Sequence, residues 1–182
     1  MKRVLISLML TCFVFSSAGC AAGAKTGGTP KYETEYENVT EAEYEDENLS
    51  FSLKLPEGWS YKKFEKDDLN SDIVGKMEIY PENDSDFKIT INSLSQKIGI
   101  CGTGVTIKDA EFENGLKAKV YYESFKNEGC TWVLFVFDAC DGKLTAESIA
   151  SDKLLKKYNN DITEIFSTLT VKEYEAQQKK PN

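Results

Sequence analysis

Few side chains in this 182-residue chain could do chemistry, and the first fact about them is negative: there is no histidine. That removes every histidine general base, the Ser-His-Asp and Cys-His nucleophile pairs, and all histidine-ligated metal sites. Five cysteines remain. Cys101 lies in a glycine-rich run, Gly99-Ile100-Cys101-Gly102-Thr103-Gly104-Val105. Glycines let backbone N–H groups approach an anion. This run, however, lacks the Lys-Ser/Thr ending of a phosphate loop and the spacing of a dinucleotide fingerprint. Thr106 to Phe125 after it reads as a β-hairpin, not the helix that such loops need. It therefore reads as a connection between strands whose glycines supply positive φ. Cys130 and Cys140 flank one expected strand, ~33 Å apart at about 3.3 Å per residue. A disulfide needs Cα atoms within about 7 Å. Cys101 thus either bridges one of them, leaving an odd thiol, or all three stay reduced.

Three other constellations complete the inventory. Glu82, Asp84 and Asp86 alternate in a polar turn and offer oxygens to Ca²⁺, but they do not match the EF-hand loop, and such turns are usually solvated. Ser60/Lys63 and Ser85/Lys88 have the Ser-x-x-Lys spacing, and Lys25-Thr26-Gly27 resembles a third β-lactamase motif. Their order is wrong, so they are chance matches. Trp59, Tyr61, Tyr121 and Trp132 are the aromatics that could line a groove for a sugar, a peptide or cell wall. No catalytic residue, metal ligand or cofactor is assigned.

Cys20 belongs to a different chemistry. Met1-Lys2-Arg3 is a short positive start, Val4 to Phe15 is mostly apolar, and Ser16-Ser17-Ala18-Gly19 supplies small residues. This is the layout of a secretory signal peptide over residues 1–19. The apolar run falls short of the ~20 residues that span a bilayer. Ala18-Gly19 before Cys20 resembles a bacterial lipobox, with Ser17 standing where leucine is usual. The Cys20 thiol is expected to take a diacylglycerol and its new amino terminus an acyl chain, a combination that anchors stably. Ala21 follows, and nothing resembles the aspartate that retains lipoproteins at an inner membrane.

Residues 20–48 read as a tether. Ala21 to Pro30 is small and flexible. Lys31 to Asn48 carries eight acidic residues and one lysine, a composition that favours a solvated stalk over an acidic recognition tract. Net charge is −8. Without Lys2 and Arg3 the chain has 20 basic against 30 acidic residues, or −10. Such a surface repels phosphate backbones, so nucleic acid is not an expected partner.

The folded domain is expected over 49–173, with a polar tail over 174–182. Phe51, Leu53 and Leu55 alternate as a half-buried strand, Pro56-Glu57-Gly58 turns, and Met77 to Tyr80 is a second strand. Phe87, Ile89 and Ile91 mark a third. Asn114-Gly115 signals a type I′ hairpin leading into Leu116, Ala118, Val120 and Tyr122. Trp132 to Phe137 is apolar on both faces, which predicts a central strand covered on both sides. Leu155, Tyr158, Ile162, Ile165, Phe166 and Leu169 recur at helical spacing, with Ser151 or Asp152 as N-cap. Tyr158-Asn159-Asn160-Asp161 is placed to kink or split that helix. The sum is an α+β domain, an antiparallel sheet with a C-terminal helix packed on it.

Phe51-Ser52-Leu53-Lys54-Leu55-Pro56-Glu57-Gly58-Trp59, the central hairpins and the C-terminal helix together resemble the PsbP-like fold. That fold is an α/β/α sandwich, an antiparallel sheet flanked by helices, found in photosystem II accessory proteins and in small bacterial lipoproteins. The resemblance implies a non-catalytic accessory or binding role and carries over no functional residue. The expectation is a lipid-anchored, extracytoplasmic accessory protein that meets the membrane through Cys20, binds a protein partner there or a small ligand, and catalyses nothing. The alternatives are a ligand-binding module using the aromatic groove and an enzyme with carboxylate chemistry, whose acidic pairs, assembled by folding, leave no linear trace.

Overall fold

The computed structural model describes residues 39–46, 48–64, 72–100, 102 and 104–174. Residues 1–19, read above as a signal peptide, Cys20, Cys101 and residues 175–182 lie outside the described residues. The described elements all belong to one unit, Asn38–Asn182. They are β1 (Thr40–Glu45), β2 (Leu49–Leu55), β3 (Trp59–Phe64), β4 (Ile73–Pro81), β5 (Ile89–Leu94), β6 (Thr106–Glu111), β7 (Lys117–Phe125), β8 (Cys130–Phe137), β9 (Leu144–Ser151), α1 (Asp152–Lys157), α2 (Asn159–Ser167) and β10 (Thr170–Glu173). A 3-10 turn, Ala139–Gly142, links β8 to β9. The strands form a seven-stranded sheet ordered β3-β4-β5-β9-β8-β7-β6 and a three-stranded sheet ordered β1-β2-β10. Every pairing is antiparallel.

This corrects the expected fold class. The protein is sheet-dominated and is not an α+β sandwich flanked by helices. The two α-helices, of six and nine residues, lie on the same side of the large sheet as the small sheet. The physical reason is in the periodicity. Among the described residues only 152–167 repeats at helical spacing and most of the others alternate with period two, so none of these supplies a helix to lay on a second face. The α/β/α architecture implied by the resemblance falls with it.

The small sheet and the helices bury one face of the large sheet. Leu49, Phe51, Leu53 and Leu55 of β2 meet Met77 and Ile79 of β4, Ile89 and Ile91 of β5, Val133, Phe135 and Phe137 of β8, and Ile162, Ile165 and Phe166 of α2. Phe166 stands edge-on to Phe112, Phe135 and Phe137 at 5.0–5.6 Å. A second aromatic knot joins Trp59, Phe87 and Tyr158. The helix splits at Tyr158, as expected, with the Ser151 hydroxyl accepting the Leu154 N–H at 3.3 Å.

Three local features differ from expectation. Part of the stretch read as tether, Thr40–Glu45, is a strand paired with β2 along its whole length. Charge density concealed an alternation: Ala42 and Tyr44 face the core, while Glu41, Glu43 and Glu45 face out along a sheet edge, where charge discourages further strand addition. Tyr44 stacks on Phe51 at 5.2 Å and leaves no room for a Cβ at Gly75. The Asn114-Gly115 hairpin exists, but only Gly115 has positive φ, 80°. Its N–H donates to the Phe112 carbonyl at 2.8 Å, which is not the type I′ geometry. Asn114 serves α2 instead, donating from Nδ2 to the carbonyls of Phe166 and Leu169 at 3.1 and 2.8 Å. Lastly, β8 is interior and apolar on both faces, yet no described strand or helix covers its second face.

Candidate functional site

Strand parity divides the four candidate aromatics. Trp59 and Tyr61 lie on β3 opposite Pro81 and Ile79, on the core face. Trp59 is only 4% exposed, and its Nε1–H donates to Asp161 Oδ2 at 3.1 Å, which ties the start of α2 to the sheet. Tyr121 and Trp132 occupy the opposite face on neighbouring strands, where Tyr121 pairs with Leu134 and Trp132 with Glu123. The structure thus brings Tyr121 and Trp132 together and places Trp59 and Tyr61 away from them. It does not assemble a four-aromatic groove.

The open face of the large sheet holds the remaining candidate chemistry. One cross-strand row runs Lys62, Glu78, Thr90, Glu147, Leu134, Tyr121, Ile107. Beside it, Trp132 pairs with Ile149 of β9. Ile107 is 57% exposed and Ile149 62%. Half-buried Trp132 and Tyr121 lie between them on β8 and β7, above Leu134, which is only 2% exposed. At one end, Lys97 and Val136 both approach within 3.5 Å of the position a Gly142 Cβ would take, so part of the β5–β6 connection lies over that margin.

Asp109, Glu111 and Glu123 share this face by strand parity, and nearer its centre two further carboxylates stand in different electrostatic settings. Glu78 meets Lys88 Nζ at 2.8 Å and Lys76 Nζ at 3.5 Å. Burial pushes its carboxyl up, but the hydrogen bonds and charges of Lys88 and Lys76 outweigh that and hold it below the ordinary value of 4.5. Lys76 also lies 4.2 Å from the Phe64 ring, with Lys62 at 4.7 Å. Glu147 has no cation. Its Oε2 accepts Trp132 Nε1–H at 3.2 Å and its Oε1 accepts Asn92 Nδ2–H at 3.4 Å. Asn92 is 5% exposed, and its Oδ1 has no hydrogen-bond partner.

The remaining candidates have structural settings. Asp84 accepts Lys157 Nζ and Tyr158 OH, each at 2.9 Å, and these bonds hold its carboxyl below the ordinary value while docking the β4–β5 turn on α1. Glu82 and Asp86 do not join it: among the described residues no group of three His, Cys, Asp or Glu side chains could hold a metal ion. Ser60 and Lys63 are three apart on β3 and so project to opposite faces. Lys88 is engaged by Glu78. The glycine run joins β5 to β6, with Gly104 at φ 101°, and opens no helix. Cys130 and Cys140 are both free thiols, at opposite ends of β8. Burial first, then Glu128 beside Cys130 and Glu173 and Asp46 near Cys140, push both thiols up, so neither is an activated nucleophile.

Sequence reasoning missed Glu147, Asn92, Ile107 and Ile149. The alternation of Leu144 to Ser151 could have marked β9 and put Thr145, Glu147 and Ile149 on one face. That β9 inserts between β5 and β8, which alone brings Asn92 to Glu147, is a property of topology. No protein-family model matches the chain, and no curated protein matches it.

Proposed function

We propose that this chain is a lipid-anchored, extracytoplasmic accessory protein that catalyses nothing and docks a protein partner on the open face of its seven-stranded sheet. The carrying observation is the pair of large apolar side chains on that face, Ile107 at 57% and Ile149 at 62% exposure, next to half-buried Tyr121 and Trp132. An antiparallel sheet with one packed face ordinarily turns polar residues to water on the other. Apolar surface exposed there marks an interaction site. The two exposed side chains stand on β6 and β9, at the two ends of a four-strand stretch, a spread that suits a protein surface better than a small ligand, which needs a concavity burying most of its area. The anchor rests on the leader ending at Cys20. Absence of histidine from the chain supports binding over catalysis. The aromatic-groove alternative loses Trp59 and Tyr61 to the core face, and no observation favours it.

The test has two arms in native membranes. Mass spectrometry of the mature amino-terminal peptide reads the lipid on Cys20, which Cys20→Ser removes, releasing the protein. A photo-crosslinking residue at Ile149 or Ile107 reads the partner, with one at exposed Glu57 as control. A repeatable protein adduct from both face positions, absent from the Glu57 control, supports the reading. Equal adducts from all three, or none from the face, end it.

A further inference from the structure

We infer that the Glu147–Asn92–Trp132 cluster at the centre of the open face is a subsite for a cationic side chain of that partner, a guanidinium above all. The inference rests on the docking reading and adds the chemistry of the residue that anchors it. The cluster is rich in acceptors and has no cation. An ionised carboxylate has about four lone-pair positions, and the Glu147 carboxylate receives one N–H on each oxygen, from Trp132 and Asn92. Asn92 Oδ1, on a side chain 5% exposed, receives none. A buried acceptor without a donor costs free energy, and an arriving donor reaches this one only with a turn of the Asn92 amide.

Lys76 and Lys88 both pair with Glu78, and among the described residues no lysine or arginine pairs with Glu147. A group that carries several N–H donors, no acceptor and positive charge satisfies this set. Guanidinium and ammonium are the side-chain groups that do so. The half-exposed Trp132 ring beside the carboxylate adds a face for a flat cation, which favours arginine over lysine. Ile149, paired across from Trp132, supplies apolar contact for the flanking residues of the partner. The chain's net charge of −8 draws a basic segment toward the surface. The subsite is open rather than enclosed, so the cation arrives as part of a polypeptide that brings its own apolar neighbours.

The chain has two tryptophans, so the indole ¹⁵N–¹H region of an NMR spectrum has two signals. Trp132 reports the site, and buried Trp59 serves as an internal control. The full chain, purified from membranes in micelles, is titrated with acetyl-Leu-Arg-Leu-amide. Its citrulline analogue and N-acetylarginine amide are the comparison probes. The Trp132 signal is expected to shift saturably with the arginine peptide while Trp59 stays still. Removing the charge is expected to weaken binding about tenfold, the sum of an exposed ion pair and a cation–π contact. The same loss is expected for Glu147→Gln with the arginine peptide. Glu147→Gln keeps an oxygen for the Trp132 N–H, and an unmoved Trp59 signal shows that it is folded. Equal binding of the citrulline peptide overturns the inference. So does equal binding of N-acetylarginine amide, which would make the ligand a small cation. No Trp132 shift up to about 10 mM, where a ~1 mM site is mostly filled, also overturns it. Crosslinking at Ile149 that survives Glu147→Gln at full yield removes the subsite and leaves the docking reading standing, whereas loss of all face-specific crosslinks removes both.

Discussion

Replacing Asn114 by alanine tests whether the β6–β7 turn holds the end of α2. Asn114 Nδ2 donates to the Leu169 carbonyl at 2.8 Å and the Phe166 carbonyl at 3.1 Å, and its Oδ1 accepts the Leu116 N–H at 3.0 Å. A net hydrogen bond is worth roughly 0.5–1.5 kcal/mol, least where water can replace the partner. The Leu116 bond is exposed and sits near the low end. The Phe166 carbonyl keeps the Leu169 N–H at 3.2 Å, so its loss is also partial. The Leu169 carbonyl loses a short, half-buried bond and sits near the top of the range. The total is about 2 kcal/mol, or about 6–8 °C in Tm for a domain of this size. Alanine strains nothing at this position, because Asn114 has negative φ. Asn114→Asp must be worse. It keeps the acceptor for Leu116 but turns a carboxylate oxygen toward two carbonyl oxygens, losing both donors and adding repulsion. The assay is urea unfolding of residues 38–182, read by Trp59 fluorescence. A cost below about 0.5 kcal/mol for Asn114→Ala, or greater stability for Asn114→Asp than for Asn114→Ala, would refute the capping argument.

Gly75→Ala is expected to cost roughly 1–3 kcal/mol by overpacking against the Tyr44 ring, and much less in a Tyr44→Ala background, which a double-mutant cycle of unfolding free energies measures. Glu78 has a lowered folded-state pKa, so the unfolded state binds more protons in acid. Its stabilisation is present above the ordinary value of 4.5 and is lost as pH falls through and below it. Glu78→Gln is expected to flatten that part of the pH–stability curve without moving the curve's shape at pH 7, read by urea midpoints from pH 7 to 3. Ile107→Lys with Ile149→Lys is expected to leave the unfolding free energy of residues 38–182, read from urea titration, within about 0.5 kcal/mol of wild type, since both side chains are already exposed. The same pair should abolish partner crosslinking from the face, and a large destabilisation would mean that these residues are structural.

What could be read from the chain was what local pattern determines. Leu49 to Leu55 alternates cleanly because one face of β2 is fully buried, and Tyr158 splits the helix where propensity is poor. What could not be read depended on which strands meet. Thr40–Glu45 looks like stalk until β2 supplies a partner for Ala42 and Tyr44, because it sits within Lys31–Asn48, whose eight acidic residues dominate the composition. The aromatic candidates failed for the same reason. Trp59 and Trp132 are equivalent by residue type, and only strand parity within the assembled sheet sends one into the core and the other to the open face. Glu147 gave no signal at all. A lone glutamate in an alternating strand is ordinary, and its meaning comes from Asn92, 55 positions away.

The two apolar faces of β8 connect fold to function. Val133, Phe135 and Phe137 account for one side, where α2 and Phe112 pack. Folding gives no comparable use for the other, since Trp132, Leu134 and Val136 face no helix and no second sheet among the described residues. Leu134 is nonetheless 2% exposed and Asn92 5%, whereas Glu147, Trp132 and Tyr121 around them are half-buried and Ile107 and Ile149 at the margins meet water. A half-buried carboxylate between exposed apolar edges departs from the usual order of a solvated sheet face. It matches the order of an interface, where a desolvated anchor is ringed by contacts that exclude water. On that reasoning the binding energy should concentrate near Glu147 and Trp132, and the margins should govern which partners fit.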